Sequence, residues 1–492
     1  MKQPLPPSPD SHAPSTGERI AALLLPLLLV AFLFALRILG PSNLTDNDQE
    51  RPAAYILDAV RNGHWIIQKD WLGDIASKPP FYTWLAGAIA LVLGRVDVVA
   101  LYLPCALAMA GSAFLISWMA GRSLGPKGAL LAGLFLVANP LTAKLVALAR
   151  TDAVFTFGVT LTAVLAFRAA TLGRSWIWPW LGGAIATLTK GPLGLILGFS
   201  GVISFFLERT RSRPRLGGLT QVVGAVLLVL LCGGWFLLAW REMGEPLIQK
   251  MIRSELVNHA IQSSESSRAA GFILTPAYFL SRFLPWSLLS VVGVWQAFRS
   301  PAADPAQRRL QRFALAWLIV GFFLFGAASH QRGDLVAPLI PAGAVLAVFP
   351  AMRWLERWTF RKLAASGLAA GLGLGTVFQL QHVSHHPEVF AETRGCRLLA
   401  EEVLKQGGRY RPLLHLDTPY ALQFYLGTME FAATPSLAAA QLRSGEAKAV
   451  AVTAIGPLAA ALGADAHRLK VVAGWPDTQA PRLQIVVWEP PH

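Results

Sequence analysis

Long apolar runs separated by short polar or basic segments fill most of this chain. Runs long enough to cross about 30 Å of hydrocarbon lie near residues 20–39, 97–120, 128–149, 152–171, 176–189, 192–207, 219–240, 272–297, 313–328, 335–350 and 361–380. The pattern predicts an all-α polytopic membrane domain at 20–380 with about 11 to 13 transmembrane helices. Residues 1–19 are rich in proline and serine, and we expect a disordered cytoplasmic N-terminus there.

One apolar stretch is too short to count as a span. Residues 81–94 are apolar, but a stretch of this length is typical of a re-entrant or interfacial helix. Counting it as a span would also break the alternation of basic loops along the chain. We therefore expect residues 41–95 to form one large loop on the outer face of the membrane.

The character of the chain changes after about residue 381. A helical pattern comes first, and short β-rich runs follow at 412–416, 447–454, 469–473 and 483–488, with alanine-rich helical stretches between them. Alternation of that kind predicts a small C-terminal α/β domain at 381–492.

The composition agrees with a membrane protein. Hydrophobic residues make up 54% of the 492 residues and charged residues only 14%, whereas soluble chains are about a quarter charged. The net charge of +15 comes from basic clusters between apolar runs, so we interpret it as a topology signal and expect no nucleic-acid binding. Placing the clusters in the cytoplasm puts the N-terminus inside and the C-terminal domain outside. The three cysteines form neither a disulfide framework nor a metal-binding spacing.

Ionisable residues gather at the predicted outer face, and such groups beside a bilayer indicate a functional site. Asp48 and Asp152 are the candidate catalytic carboxylates, since a carboxylate near apolar surroundings can act as a general base toward a hydroxyl. The alternative is that each caps a helix N-terminus. Asp46 and Asp48 also form a D-N-D pattern that could hold a divalent cation, Mg or Mn, although any Asp-rich loop matches it.

Lys78 lies in S-K-P-P, where two prolines fix the backbone that follows it. A compact cation at the interface suits a phosphate group, and Lys190 and Arg332 allow the same interpretation. The alternative for Lys78 is a lysine that snorkels to the interface from a helix start. Three histidines lie close together in the tail after the last predicted span, and we expect a solvated linker there rather than a metal site: His382, His385 and His386.

Six motifs occur in a fixed order along the chain. They are D-x-x-R-x-x-x-Y after the first span, G-x-W, K-P-P with a following aromatic residue, R-T-D-A-V-F-T-F, L-T-K-G-P and H-Q-R-G-D-L-x-x-P-L-I-P. With this order, over about residues 39–341, the chain resembles the bacterial relatives of the protein O-mannosyltransferases and the aminoarabinose transferases that modify lipid A. These are GT-C membrane glycosyltransferases. The C-terminal α/β domain resembles, more loosely, the periplasmic domain of the aminoarabinose branch.

The resemblance implies transfer of a sugar, with inversion, from a polyprenyl-phosphate donor to a lipid, glycan or protein acceptor at the periplasmic face of the inner membrane. Asp48 matches the first-loop aspartate that is assigned as catalytic in these families, and Asp152 matches the aspartate of their second outer loop. Lys78 matches the lysine near the donor phosphate. Two further residues are donor-phosphate candidates: Lys190 and Arg332. Four residues are candidates for substrate binding: Asp46, Arg51, Tyr55 and Arg268. No cofactor is expected beyond a divalent cation at the D-N-D pattern, which stays open.

The chain departs from the aminoarabinose branch at several positions. Ser77 stands where that branch typically has an acidic residue before K-P-P, and Arg332 and Leu335 stand where it has a lysine and an aromatic residue. Pro52 is expected to interrupt a helix that is normally continuous after the first motif. These differences leave the donor sugar and the acceptor open.

The alternative function is a polytopic transporter or lipid flippase without transfer chemistry. Such a protein predicts internal repeats and charged groups near the bilayer midplane. The sequence shows no clear repeat, and its ionisable groups gather at one face. The pattern therefore favours a transferase.

Overall fold

Helices make up most of the structure, a computed structural model that describes residues 15–45, 47–208, 216–251, 265–328, 331–428, 434–476 and 482–489. At residues 47–48, 265–269 and 408–409 it describes the backbone alone. The chain divides into two compact units. We call Met1–Leu36, Cys105–Ala147 and Thr151–Gln379 the helical unit, and Arg37–Pro104, Leu148–Arg150 and Leu380–His492 the mixed unit.

Nineteen helices and four strands are numbered in chain order over the described residues. The helices are α1 (Thr16–Leu39), α2 (Asn47–Asn62), α3 (Phe81–Leu93), α4 (Val98–Val137), α5 (Pro140–Leu145), α6 (Thr151–Leu172), α7 (Ile177–Lys190), α8 (Leu193–Phe206), α9 (Leu219–Met243), α10 (Glu245–Leu247), α11 (Glu265–Arg282), α12 (Trp286–Arg299), α13 (Pro305–Gly326), α14 (Gly333–Trp354), α15 (Phe360–Ser384), α16 (Pro387–Lys405), α17 (Tyr420–Leu426), α18 (Pro435–Ser444) and α19 (Ile455–Leu462). The strands are β1 (Leu413–Leu416), β2 (Ala449–Val452), β3 (Leu469–Trp475) and β4 (Leu483–Trp488).

Seven of the described helices are long and apolar enough to cross a membrane: α1, α4, α6, α9, α13, α14 and α15. This confirms the predicted all-α membrane architecture. The number of spans stays a prediction, because several of the predicted runs correspond to shorter helices, among them α7, α8 and α12.

The helical unit is built from closely packed neighbouring helices. α6 packs against α7, α11 against α13, and α12 against α14. Glycine makes the α6–α7 contact close, since a Cβ at Gly158 would lie 2.8 Å from the backbone nitrogen of Ala186 and one at Gly182 would lie 2.9 Å from that of Thr162. Small residues of this kind let membrane helices approach one another, and here they fix the ends of α6 and α7 side by side.

The mixed unit combines the segment after α1 with the C-terminal part of the chain. α2 packs against α3 and α17, and α16 packs against α17 and β3. The four strands form one sheet in the order β1-β2-β4-β3, with β1 parallel to β2 and β4 antiparallel to both of its neighbours. The crossover through α17 and α18 makes the first pair parallel. The predicted α/β fold of this segment and its four strands are confirmed.

The two compact units do not divide the chain at residue 380, where the domain boundary was predicted. The segment 37–104, which contains the predicted loop 41–95, clusters with residues 380–492. The predicted domain boundaries stay predictions, since they divide the chain by its expected relation to the membrane rather than by contacts.

The predicted span at 272–297 is wrong as a single helix. α11 ends at Arg282 and α12 begins at Trp286. Pro285 lies in the break, and a proline removes a helix donor and disfavours helical backbone at the residue before it. The apolar composition continues through this break, so hydropathy alone does not reveal it.

Two further predictions about helix continuity are corrected. α4 covers the run at 97–120 and the start of the run at 128–149, with non-helical backbone at Gly125. The second run does not stay helical to residue 149, because Asn139 caps a new helix by accepting from the amide of Thr142 at 2.9 Å. Pro52 does not interrupt the helix after the first motif, since it lies inside α2.

The short apolar stretch at 81–94 forms a helix as predicted. α3 ends at Gly94, whose left-handed backbone donates to Ala90 and Leu91. Its interfacial or re-entrant placement stays a prediction.

His415 makes the C-terminal sheet sensitive to acid. Its side chain is fully buried and bonds to the hydroxyls of Thr418 and Thr428 at 3.2 and 2.8 Å. Burial lowers the pKa of His415 from its ordinary 6.5 to about 3, because the charged imidazolium is disfavoured away from water. The unfolded chain therefore binds a proton that the folded chain does not, and this contribution to stability is lost as pH falls below 6.5.

We expect His415→Gln to abolish that acid sensitivity. Relative to the variant, the wild type should lose about 2 kcal/mol of unfolding free energy between pH 6.5 and pH 5. Thermal unfolding of the full-length protein across this range measures the difference. His467→Gln, at an exposed histidine, serves as the control, and an unchanged pH slope in His415→Gln would contradict the assignment.

Candidate active site

Asp152 and Lys190 form an ion pair where α6 begins and α7 ends. The short connection between the two helices makes them antiparallel neighbours, so the first turn of α6 lies beside the last turn of α7. The Nζ atom of Lys190 donates to Oδ1 of Asp152 at 2.5 Å, and the ammonium lies 5.8 Å from the centre of the Phe155 ring. The structure thus brings together two of the predicted site residues.

A second ion pair of the same kind lies on neighbouring elements. Lys144, in the last turn of α5, donates to Oδ2 of Asp334 at 2.8 Å. Asp334 lies in the first turn of α14, and the first turns of α14 pack against α6 and α5. The two lysine–aspartate pairs therefore lie on mutually packed elements of the helical unit.

The helix ends favour the charges that they carry. Each aspartate lies in a first helical turn and each lysine in a last turn, where the partial charges of the helix termini stabilise an anion and a cation respectively. The aspartate side chains are 5% and 7% exposed, and the lysine side chains 18% and 28%. A lysine has three donors, so each of these partly accessible ammonium groups has the capacity to bind a further anion.

In the mixed unit, partners distant in sequence hold the first turn of α2. Gln49 accepts from the backbone amide of Ala149 at 2.7 Å, and Glu50 accepts from that of Tyr420 at 3.1 Å. Asp48 lies in this turn, directly before Gln49, and only its backbone is described. Asp46 lies outside the described residues, so the D-N-D cation site stays a prediction.

Two buried carboxylates fix the segment between α2 and α3. Asp58 accepts from the amide of Lys69 at 2.7 Å and lies 3.0 Å from Nδ1 of His64. Asp70 accepts from the amides of Leu72 and Asp74, both at 3.0 Å. Burial raises the pKa of Asp70, and the two amide donors partly oppose this shift. The segment that leads to Lys78 is therefore held by its own carboxylates.

The remaining predicted residues are distributed over both units. Lys78 is half-buried just before α3, and Tyr55 is half-buried on α2. Arg51 is half-exposed, with Nε 3.6 Å from Oδ2 of Asp70. Arg332 is half-buried directly before α14 in the helical unit. The side chain of Arg268 lies outside the described residues.

Sequence reasoning missed several residues that the structure places at these points. Lys144 carried the clearest signal, because an ionisable residue inside an apolar run needs a partner. Gln49 and Glu50 carried no local signal, since their partners lie 100 and 370 residues away. Among the side chains that the structure describes, no three His, Cys, Asp or Glu residues come together to hold a metal.

We expect the Asp152–Lys190 pair to behave as an energetic unit. Lys190→Met should lower the unfolding free energy by about 3 kcal/mol, because the buried carboxylate of Asp152 loses the ammonium bonded to its Oδ1. The double variant Asp152→Asn, Lys190→Met should recover most of the loss. Thermal unfolding in detergent measures Asp152→Asn, Lys190→Met and the double variant. The Lys144–Asp334 pair provides a second double-mutant cycle for comparison. Strictly additive effects would show that the pair is not coupled.

Comparison with known proteins agrees with this architecture. The family model of dolichyl-phosphate-mannose-protein mannosyltransferases matches residues 77–236, a range that contains Lys78, Asp152 and Lys190. An uncharacterised protein of Aquifex aeolicus is 26% identical over 280 residues, which are 55% of this chain and 52% of that protein. The undecaprenyl phosphate-alpha-4-amino-4-deoxy-L-arabinose arabinosyl transferase of Shewanella sediminis is 27% identical over 375 residues, 72% of this chain and 62% of the relative. The chain thus spans between half and two thirds of the length of these relatives.

The fold has a counterpart among solved structures. The structure of ArnT from Cupriavidus metallidurans bound to undecaprenyl phosphate superimposes with a TM-score of 0.73 at 18% identity, over 96% of this chain and 98% of that one. The shared fold and the seven long apolar helices agree with a multi-pass membrane protein. In sequence the chain is thus similar to the mannosyltransferase family over residues 77–236 and to two arabinosyl transferases at 25–27% identity, and in fold it is similar to ArnT.

Proposed function

We propose that the protein transfers a sugar from a polyprenyl-phosphate donor to a lipid, glycan or protein acceptor, with inversion. The observation that carries the proposal is the pair of lysines held beside buried aspartates at helix ends of a membrane unit. Charges at the edge of apolar helices carry a desolvation cost, and they suit an anionic ligand whose tail stays in lipid. The mannosyltransferase family match and the arabinosyl transferase relatives support the same reaction class.

The reaction needs one base and one stabilised leaving group. In the proposed step, an acceptor oxygen attacks the anomeric carbon, and its proton passes to the carboxylate of Asp48. The bond between the anomeric carbon and the phosphate oxygen breaks, and its electron pair stays on the phosphate. Attack opposite the departing phosphate inverts the anomeric centre. A phosphate leaves as an anion, so it needs cations rather than an acid.

Those cations have separate proposed roles. Lys78, fixed ahead of two prolines, binds the donor phosphate and neutralises the departing charge. Lys190 and Arg332 are further proposed ligands of the donor phosphate, and Asp152 positions the ammonium of Lys190. Substrate binding is assigned to Asp46, Arg51, Tyr55 and Arg268. A Mg or Mn ion at the D-N-D pattern remains part of the proposal.

The proposed orientation follows the basic clusters. The N-terminus lies in the cytoplasm and the C-terminal domain in the periplasm, which places transfer at the periplasmic face. The transporter or flippase alternative gains no support from the family and relatives that match this chain, since those are named as transferases. Mass spectrometry of lipids and envelope glycans, with and without the protein, identifies the sugar and the acceptor.

We expect Asp48→Asn to lower transfer by at least about 100-fold, because the general base is lost. Binding of undecaprenyl phosphate, used as the probe, should remain within about twofold, because the donor cations are untouched. Product formation in membranes is measured by mass spectrometry. Asp97→Asn is the matched control, since Asp97 caps the amide of Ala100 and asparagine keeps that role. Transfer by Asp48→Asn at the wild-type rate would contradict the proposed mechanism.

Lys78→Ala tests the donor site separately. We expect its affinity for undecaprenyl phosphate to fall about tenfold, because one charge-assisted contact to phosphate is lost. Lys470→Ala, at an exposed lysine of β3, should bind as the wild type does. Native affinity in Lys78→Ala would instead favour a lysine that merely snorkels to the interface.

A further inference from the structure

The C-terminal segment bonds directly to the loop that carries Asp48. The amide of Thr45 donates to the hydroxyl of Thr393 at 3.1 Å, and the hydroxyl of Thr45 donates to the carbonyl of Val389 at 2.9 Å. Three residues earlier, the hydroxyls of Ser42 and Tyr425 lie 2.8 Å apart. The chain that leads into α2 is therefore tied to α16 and α17, both within the mixed unit.

Glu50 makes the same connection from the other side of Asp48. α17 begins after Pro419, which offers no side-chain cap, and the amide of Tyr420 is one of the donors that a helix start leaves without an internal partner. The carboxylate of Glu50 accepts from this amide at 3.1 Å. Glu50 is 7% exposed and Tyr420 is 1% exposed. A residue two positions from Asp48 thus serves as a cap for a helix of the C-terminal domain.

An aromatic stack strengthens this contact. The rings of Trp71 and Tyr420 are stacked, with centroids 4.5 Å apart and planes 18° apart. Trp71 belongs to the carboxylate-held segment between α2 and α3, so Tyr420 contacts both parts of the first loop. Stacked aromatic pairs of this geometry contribute beyond their buried area.

Gln49, directly after Asp48, also bonds to a distant segment. Its side chain is 1% exposed and accepts from the amide of Ala149 at 2.7 Å. Ala149 precedes Asp152 by three residues in the sequence. Thr45, Gln49 and Glu50 are therefore all bonded to distant segments, and two of the three bond to the C-terminal segment.

We infer that the C-terminal α/β domain positions the first turn of α2, and that Glu50 and Thr393 are the positioning residues through which it does so. The inference rests on the proposed function for its catalytic consequence, since it concerns the placement of Asp48. The domain then contributes to the geometry of the transfer site, because it positions the turn that carries Asp48. A general base must lie within hydrogen-bond reach of the proton that it removes, and a misplacement of about 1 Å can cost on the order of 100-fold in rate.

The test compares Glu50→Ala with Glu50→Gln in the full-length protein. Alanine removes the acceptor for the Tyr420 amide, whereas glutamine keeps an oxygen at the same position. We expect Glu50→Ala to lower transfer about 10- to 100-fold while undecaprenyl phosphate binds within about twofold of the wild type. Glu50→Gln should transfer within about threefold of the wild type. Glu402→Ala, at an exposed glutamate of α16 that lies 3.5 Å from the ammonium of Lys405, should change neither quantity.

Amide hydrogen exchange gives a readout that does not depend on the reaction. In Glu50→Ala, the amides of residues 47–51 should exchange about tenfold faster, because one bond that holds this turn is lost. Thr393→Val, nearly isosteric, removes the acceptor for Thr45 from the C-terminal side and should accelerate the same amides with about a fivefold loss of transfer. It also keeps the test decisive if Glu50→Ala does not purify as a folded protein.

The outcomes separate this inference from the proposed function. Unchanged exchange in residues 47–51 and unchanged transfer in both variants, beside an inactive Asp48→Asn, would overturn the positioning role alone. Faster exchange in the variants beside a fully active Asp48→Asn would overturn the proposed mechanism while the structural coupling stands. Equal loss of transfer in Glu50→Gln and Glu50→Ala would overturn the role of Glu50 as an acceptor for Tyr420, because the charge of the side chain would then be what matters.

Discussion

A cation stabilises a carboxylate buried among apolar helices, and Lys190 provides one for Asp152 at the junction of α6 and α7. The contact needs the last turn of one helix to lie against the first turn of the next. Gly158 and Gly182 provide the close approach that makes this geometry accessible. The position of the charge therefore depends on small side chains about two turns away, and a bulkier residue at either glycine would separate the two helix ends before it touched either charged group.

The parts of the fold that local pattern determines were predictable. The four strands follow from short runs of alternating and β-branched residues, and each observed strand lies within a few residues of its predicted run. Breaks inside continuous apolar sequence were not predictable from hydropathy, because the turn at Pro285 and the cap at Asn139 interrupt helices without changing composition. Pro52 gave the opposite error, since a helix break was predicted there and the helix is continuous. A single missing donor costs one helical bond, and the packing of α2 on α3 and α17 outweighs it.

The candidate site was predictable to the extent that charge beside a membrane is informative. Asp152 and Lys190 were both candidates from the sequence, and the structure pairs them. Their pairing was not predictable, because it requires the antiparallel arrangement of α6 and α7. Lys144 and Asp334 repeat the arrangement through segments 190 residues apart. A motif search finds single residues at span ends, whereas the charge balance of the site arises only from tertiary packing.

The predicted domain boundary at residue 380 is a boundary of composition and not of contact. Arg37, near the end of α1, donates to the carbonyl of Pro41 at 3.1 Å and lies 5.4 Å from the centre of the Phe390 ring. It is 3% exposed, so the end of the first span is itself covered by residues that include the C-terminal segment. The same segment bonds Thr45 and offers Glu50 the amide of Tyr420, so the stretch from Arg37 to Glu50 would lose several of its partners without it. A cut at residue 380 would divide the chain where its hydropathy changes, and it would remove buried hydrogen bonds from the segment proposed to carry the base.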